Sequence, residues 1–216
     1  MRLEVVDLPD WRQAHHDVPP EVTGGWADSI RAEGLRIAAH PTAAFRHATQ
    51  LALRLENGRF ALLHDVMAPV HWGSGLECCE SAFRYIAFWD DVGFHVVESA
   101  SHHHEETVLV SFRTAEVATL IGSPHRVPGR PELAVAILTS DMHGHDLEVW
   151  RLGEGRWLRI QHCPAMPYGT EFVRWDADGH IVLRRLGDEK DMRGERIWVE
   201  EPYRLDGDRL DLPTCR

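Results

Sequence analysis

From about residue 47 onward, apolar and polar side chains alternate along the chain with a period of two. Leu51, Leu53 and Leu55 alternate with polar or small residues, and Asn57-Gly58 separates this run from a second apolar run. Such alternation is typical of a β-strand with one buried face, and Asn-Gly favours a tight hairpin turn because both residues accept a positive φ. The segment therefore predicts a β-hairpin.

The same arrangement recurs along the rest of the chain. Further hairpins are predicted, with turns at residues 90–93, 113–115, 140–146, 153–155, 178–179 and 206–208. This amounts to about a dozen short strands, a spacing typical of sandwiches, barrels and propellers. Parallel α/β folds are disfavoured because they need crossover helices, and no long amphipathic helix is visible.

The first part of the chain has a different character. Residues 1–46 form an irregular N-terminal segment in which "MRLEVVDL" predicts a short strand and "WADSIRAEGL" a short helix that ends at Gly34. Residues 47–216 consist of repeated antiparallel hairpins. We expect a single β-rich domain over residues 1–216.

A weak repeat runs through the hairpins. Residues 83–122, 131–163 and 169–204 each hold three or four predicted strands. A period of about 35 to 45 residues is the size of a propeller blade. The predicted fold is all-β, a small β-propeller or propeller-like antiparallel meander of about four to five blades, with a β-sandwich as the alternative. Pairing of the N-terminal strand with the C-terminal one would then close the ring.

A second pattern extends over roughly residues 78–186. It comprises Cys79, Tyr85, Gly93, the strand His95-Val96-Val97 and the strand Val149-Trp150-Arg151. This pattern is similar to that of a group of uncharacterised bacterial proteins with a propeller-like β-meander. The chain departs from it where "SPHRVPGRPELAV" replaces "SPDGRRFAV" and "VSFRTAEV" replaces "LVDRRTGEV". The resemblance implies the fold and no activity, so no catalytic residue is predicted from it.

The charge excludes some classes of partner. The formal net charge is -11, and no run rich in Lys or Arg exists. Nucleic acid and anionic membrane surfaces are therefore disfavoured as partners. No apolar stretch reaches the ~18 residues of a membrane helix, and the start lacks the pattern of a signal peptide. We expect a soluble, cytoplasmic protein, or an exported one if a leader was removed.

The four cysteines form no C-x-x-C motif, so a zinc knuckle or thioredoxin-like site is not predicted. The cysteines are Cys78, Cys79, Cys163 and Cys215. We expect reduced thiols at the vicinal pair Cys78 and Cys79, at least one of them buried. A bridge from Cys78 or Cys79 to Cys163 is the alternative, and it would indicate an exported protein.

Two histidine-rich segments are candidate metal sites. "SDMHGHD" contains Asp141, His143 and His145, and Gly144 would let both imidazoles approach one ion. "SASHHHEETV" contains His102 and His104, which face the same way in an extended chain. The alternative interpretation of both segments is a solvated hairpin tip with no bound ion. No cofactor is expected, with a divalent metal such as Zn as the alternative.

The tryptophans divide into two groups. Five fall in or beside predicted strands and are expected to be structural, namely Trp89, Trp150, Trp157, Trp175 and Trp198. Three fall in loop-like regions and are candidates for a contact surface, namely Trp11, Trp26 and Trp72, the last together with His71.

These features favour a non-enzymatic binding or interaction module. Its loops at one end of the β domain would bind a protein partner or a small molecule. The alternative is a metal-dependent, hydrolase-like enzyme that uses Asp141, His143 and His145.

Overall fold

The structure is a computed structural model that describes residues 3–8, 25–47, 49–65, 81–101, 105–140, 144–164, 166, 169–212 and 215. The chain divides into two compact units, Met1–Thr119 and Leu120–Arg216. The single domain over residues 1–216 stays a prediction.

Among the described residues, the first unit contains one helix and two four-stranded antiparallel sheets, with strand orders β1-β4-β3-β2 and β5-β6-β7-β8. The helix is α1 (Gly25–Ala39). The strands are β1 (Glu4–Val6), β2 (Ala44–His47), β3 (Gln50–Arg54), β4 (Phe60–His64), β5 (Ser81–Trp89), β6 (Phe94–Ser101), β7 (Glu105–Ser111) and β8 (Val117–Ile121), the last of which ends just inside the second unit.

The described part of the second unit contains three antiparallel sheets, with strand orders β12-β11-β10-β9, β13-β14-β15 and β16-β17. The strands are β9 (Ser123–Val127), β10 (Arg130–Ser140), β11 (Gly144–Gly153), β12 (Arg156–Cys163), β13 (Glu171–Trp175), β14 (Ile181–Lys190), β15 (Arg196–Tyr203), β16 (Leu205–Asp206) and β17 (Arg209–Leu210).

The all-β prediction is confirmed at the level of these antiparallel sheets. Most predicted turns connect paired strands, and five of them place a glycine at positive φ: Gly58, Gly93, Gly155, Gly179 and Gly207. The turn predicted at 140–146 is too long, because β10 reaches Ser140 and β11 starts at Gly144. The hairpin of β14 and β15 was not predicted, since its charged residues conceal the alternation.

The helix differs from its prediction. It runs to Ala39 rather than ending at Gly34. A glycine inside a helix costs about 1 kcal/mol relative to alanine. Burial of the Ile37 side chain and the bonds that Glu33 makes to Arg46 and to the backbone of Tyr85 favour continuation of the helix through Gly34. Pro41 follows shortly after the helix and disfavours its continuation. Within the described residues, no helix has the length and apolarity to cross a membrane.

The N-terminal strand also differs from its prediction. β1 pairs with β4, where Val5 lies opposite Ala61, and not with the C-terminal strand, which pairs with β16. The expected ring closure by the chain ends is therefore wrong. Leu3 and Val5 pack against the core of the first unit, so burial of these side chains holds the strand there.

A buried ionic network joins three elements of the first unit. Arg46 on β2 donates to Glu33 of α1 at 2.5 Å and 3.0 Å, and to Asp65, just after β4, at 2.9 Å. All three side chains are at most 5% exposed. Burial alone would lower the pKa of Arg46, but the two carboxylates raise it above its ordinary value. Burial raises the pKa of Asp65, whereas Arg46 and a backbone N–H oppose that rise.

The network also completes the edge of β5. Glu33 accepts the backbone N–H of Tyr85 at 2.7 Å, and Asp65 accepts that of Phe83 at 2.8 Å. Arg46 donates to the carbonyl of Phe83. The three side chains thus replace a neighbouring strand at the edge of β5. They form hydrogen bonds with the N–H groups of Phe83 and Tyr85 and with the carbonyl of Phe83, which would otherwise be left without partners.

His95 links the two sheets of the first unit through a buried contact. Its side chain is fully buried on β6, and its Nε2 lies 2.7 Å from the carbonyl oxygen of Arg54 on β3. The rings of Phe88, Tyr85 and Phe112 surround it with centroids at 4.9 Å, 6.4 Å and 6.1 Å. Burial lowers the pKa of His95 to about 4, so the imidazole is neutral at pH 7 and donates through Nε2.

The cysteine prediction is corrected in the second unit. A disulfide joins Cys163, at the end of β12, to Cys215. The alternative bridge from Cys78 or Cys79 to Cys163 is therefore wrong, because Cys163 is already bonded to Cys215. Cys78 and Cys79 themselves lie outside the described residues.

Contacts along the C-terminal segment explain why Cys215 reaches Cys163. Gln161 on β12 donates to the carbonyl of Leu210 at 3.1 Å and accepts the N–H of Leu210 at 2.8 Å. Leu210 and Leu212 are buried in the core of this unit. These contacts hold the segment after β17 against β12, an arrangement that the spacing of cysteines in the sequence does not reveal.

Candidate interaction surface

The exposed apolar side chains are concentrated on the hairpin of β14 and β15. Among the described residues, the exposed large hydrophobic side chains are Leu35, Leu158, Met192, Ile197 and Trp198. Three of these five belong to that hairpin, and Trp198 is 44% exposed. Ile197 and Trp198 are adjacent on β15 and so expose apolar surface on both faces of the hairpin, whereas single exposed side chains scattered over a surface are ordinary.

Neighbouring residues hold the Trp198 ring in place. The guanidinium of Arg184, on the adjacent strand β14, lies 4.8 Å from the ring centroid. Arg184 also pairs with Glu171 of β13. The ring packs beside Leu186 and over Gly169, where the Cβ of any other residue would lie only 3.0 Å from the ring. Trp198 is therefore an ordered anchor that still exposes part of its ring.

The outer edge of β15 has no strand partner among the described residues. β15 stands at the end of the order β13-β14-β15, and this sheet has three described strands, whereas three other described sheets have four. The carbonyl of Ile197 points toward β14, since it lies 3.2 Å from the Cβ position of Gly187. Backbone groups alternate in direction along a strand, so those of Arg196, Trp198 and Glu200 face the open edge.

Pro202 is consistent with that alternation. It lies opposite Val182 of β14, an even number of residues from Trp198 and Glu200, so its backbone N and carbonyl face the same side of the strand as theirs. Proline has no N–H and is found where a strand faces solvent rather than a partner. The open edge therefore extends from Arg196 to Glu200 and ends at Pro202.

Charged side chains flank this edge. Glu200 pairs with Arg174 of β13 at 2.6 Å, and both side chains are exposed. Glu201, on the opposite face, pairs with Arg185 at 2.6 Å and accepts the Tyr203 hydroxyl. Arg185, and after it Tyr203, hold the pKa of Glu201 below its ordinary value. The face around Trp198 is thus polar and charged, with one aromatic anchor.

The structure covers only one of the predicted metal ligands. Asp141, His143, His102 and His104 lie outside the described residues. His145 is buried on β11, where its Nε2 accepts the N–H of Gly169 at 3.1 Å and its carbonyl accepts the N–H of Met166 at 2.6 Å. These bonds give His145 a role in positioning the segment before β13, while the metal prediction stays a prediction.

The side chains of the predicted contact residues lie outside the part of the chain that the structure describes. Trp11, His71 and Trp72 lie outside the described residues. Trp26 falls in α1, but its side chain lies outside the description as well. These four stay predictions.

Within the described residues, Asp176, Asp178 and His180 offer three potential metal ligands within 4.8 Å of one another. Asp176 accepts the N–H groups of Asp178 at 3.0 Å and His180 at 2.8 Å, and its carboxylate lies 3.1 Å from the His180 ring. The backbone bond to His180 is the largest cause that lowers the pKa of Asp176. Asp191 accepts N–H groups two and four residues on in the same way, so the group is explained by turn chemistry.

Trp198 is one of the five tryptophans that the strand pattern predicts to be structural. That expectation is confirmed for Trp150 and Trp157, which are buried, and is wrong for the exposed Trp198. Two signals in the sequence point to the exposed edge: Ile197 and Trp198 are adjacent and so face opposite sides of a strand, and Pro202 marks an edge strand. No family model, curated protein or solved structure matches the chain.

Proposed function

We propose that the protein is a non-enzymatic binding module that holds a protein partner at the open edge of β15. The observation that carries the proposal is the juxtaposition of an unpaired strand edge with the exposed, ordered ring of Trp198. The partner would contribute an extended segment as the fourth strand of this sheet. The contact surface is therefore a strand edge rather than the loops considered from the sequence.

Strand addition suits this surface for a physical reason. Backbone hydrogen bonds along the edge supply affinity that does not depend on partner sequence, and side-chain contacts supply selectivity. Arg196, Trp198 and Glu200 direct backbone groups outward, and the Trp198 ring offers a large apolar contact on one face. Pro202 restricts pairing to the segment before it, which limits uncontrolled edge-to-edge aggregation.

We further propose that the sheets are blades of a propeller-like meander, as the resemblance implies. The support is their connectivity: each sheet from β5 onward consists of strands that are consecutive in the chain. Three sheets have four strands, which is the number in a propeller blade.

Replacement of Glu200 by proline should abolish binding of extended peptides. Glu200→Pro removes an outward N–H while leaving intact the bonds to β14, as Pro202 already does two residues on. Short peptides selected from a random display library on the wild-type chain are the probe, with affinity measured by fluorescence polarisation. We expect affinity to fall at least ~10-fold, since the backbone bond from this N–H is lost and the proline ring occupies the edge where the added strand would pair.

Glu200→Ala is the matched control. It removes the same carboxylate and the same ion pair with Arg174 but keeps the backbone N–H. An exposed pair contributes about 0.2 to 1 kcal/mol, so the control should bind nearly as well as the wild type. Equal affinities of the proline and alanine variants, or failure to select any peptide, would exclude strand addition at β15.

A further inference from the structure

We infer that the partner at β15 is the β15 strand of a second copy of this chain, paired antiparallel about a two-fold axis at Trp198. The inference rests on the proposed function, because it needs the same open edge, and it specifies the occupant. An isologous interface of this kind requires a surface that is complementary to itself. The sequence of β15 meets that requirement.

The directions of the backbone groups restrict the register. Only residues whose N–H and carbonyl groups face outward can exchange hydrogen bonds with the second copy. These residues are Arg196, Trp198 and Glu200, so a two-fold axis at Trp198 pairs each Trp198 with its counterpart. Arg196 of each copy then lies opposite Glu200 of the other.

The charges favour that register over its neighbours. Arg196 is exposed and has no ion-pair partner among the described residues, and Glu200 is exposed beside Arg174. In the two-fold arrangement, two Arg196–Glu200 pairs form directly across the strands, where opposite charges stabilise pairing. Sliding one copy by two residues places Arg196 opposite Trp198 in one direction and opposite Pro202 in the other, so both ion pairs are lost.

In the same register, the apolar side chains of one copy lie against apolar side chains of the other. Trp198 would lie beside Trp198 of the second copy, with Cα atoms about 5.5 Å apart, as in a hydrogen-bonded antiparallel pair. On the other face, Ile197 would lie opposite Val199, which covers an isoleucine that is 41% exposed in the single chain. Pro202 ends the ladder, because it has no N–H to donate.

The inference is tested on the full-length chain by reversing the charge at residue 196, at residue 200, and at both residues together. Arg196→Glu places glutamates opposite each other in both pairs, and Glu200→Arg does the same with arginines. Each single variant should dimerise at least ~10-fold more weakly than the wild type. The double variant Arg196→Glu/Glu200→Arg restores opposite charges and should dimerise, as should an equimolar mixture of the two single variants. Sedimentation velocity over a range of protein concentrations measures all four.

A control variant and a competitor complete the experiment. Arg204→Glu changes an exposed arginine outside β15 that lies 3.9 Å from Asp206, and this variant should leave the dimer unchanged. A peptide that binds the β15 edge should dissociate the wild-type dimer, because both occupy the same backbone groups.

Two outcomes would overturn the inference. One is a wild-type chain that sediments as a monomer at every concentration. The other is a dimer whose affinity is unaffected by the single reversals or is not restored by mixing them. If peptides still bind β15 in either case, the proposed function stands and only the identity of the partner is wrong. If neither peptides nor a second copy bind, both proposals fail.

Discussion

Replacement of Arg46 by methionine should destabilise the first unit by about 3 to 5 kcal/mol, because it leaves two buried carboxylates without their cation. Glu33 and Asp65 are each at most 5% exposed, and both depend on Arg46 for their ionic partner. A buried ion without a partner costs far more than the net value of the intact pair. Urea unfolding measured by circular dichroism should show a lower midpoint, and hydrogen exchange should place the loss in α1 and β5.

Two further variants show how much of the lost stability comes from the unpaired charges and how much from the lost packing of the Arg46 side chain. Arg113→Met removes an arginine that is 77% exposed and 3.9 Å from Glu56, and it should change stability by less than about 1 kcal/mol. The triple variant Arg46→Met/Glu33→Gln/Asp65→Asn removes all three charges and should recover at least half of the loss. A triple variant as unstable as the single one would contradict the electrostatic explanation.

Acidification should destabilise the first unit through His95, by about 2 kcal/mol at pH 5 and about 3 kcal/mol at pH 4. The pKa of His95 is about 4 in the folded chain, against an ordinary value of 6.5. The unfolded chain therefore takes up the proton first as the pH falls. Stability is fully present above about pH 6.5, declines between pH 6.5 and 4, and changes little below that range for this group.

Comparison with His95→Gln isolates this contribution. Glutamine keeps a donor for the Arg54 carbonyl but does not titrate in this range. The difference in stability between the two proteins should shift by about 2 to 3 kcal/mol in favour of the variant between pH 7.5 and 4.5. Hydrogen exchange of peptides from β6 and β7 confines the measurement to the first unit. A difference that is constant over this range would contradict a neutral, buried His95.

Hairpins were predictable because their signals are local. Gly58 and Gly93 occupy positive φ in the turns where the sequence places them, since few other residues accept that conformation. The alternation of apolar and polar side chains also has a period of two residues, which is typical of a half-buried β-strand and not of a helix. The β14–β15 hairpin lacked such a signal, because exposed charged residues occupy both faces near its turn.

The sequence by itself determined that the chain forms antiparallel strands and where most of them turn, because neighbouring residues decide both. Only the tertiary structure decided that Arg46 meets Glu33 and Asp65, that Cys163 pairs with Cys215, and that β15 presents an open edge. Each of these depends on which strands become neighbours across long stretches of chain. That choice is made by the combined burial of many side chains, which no local pattern records.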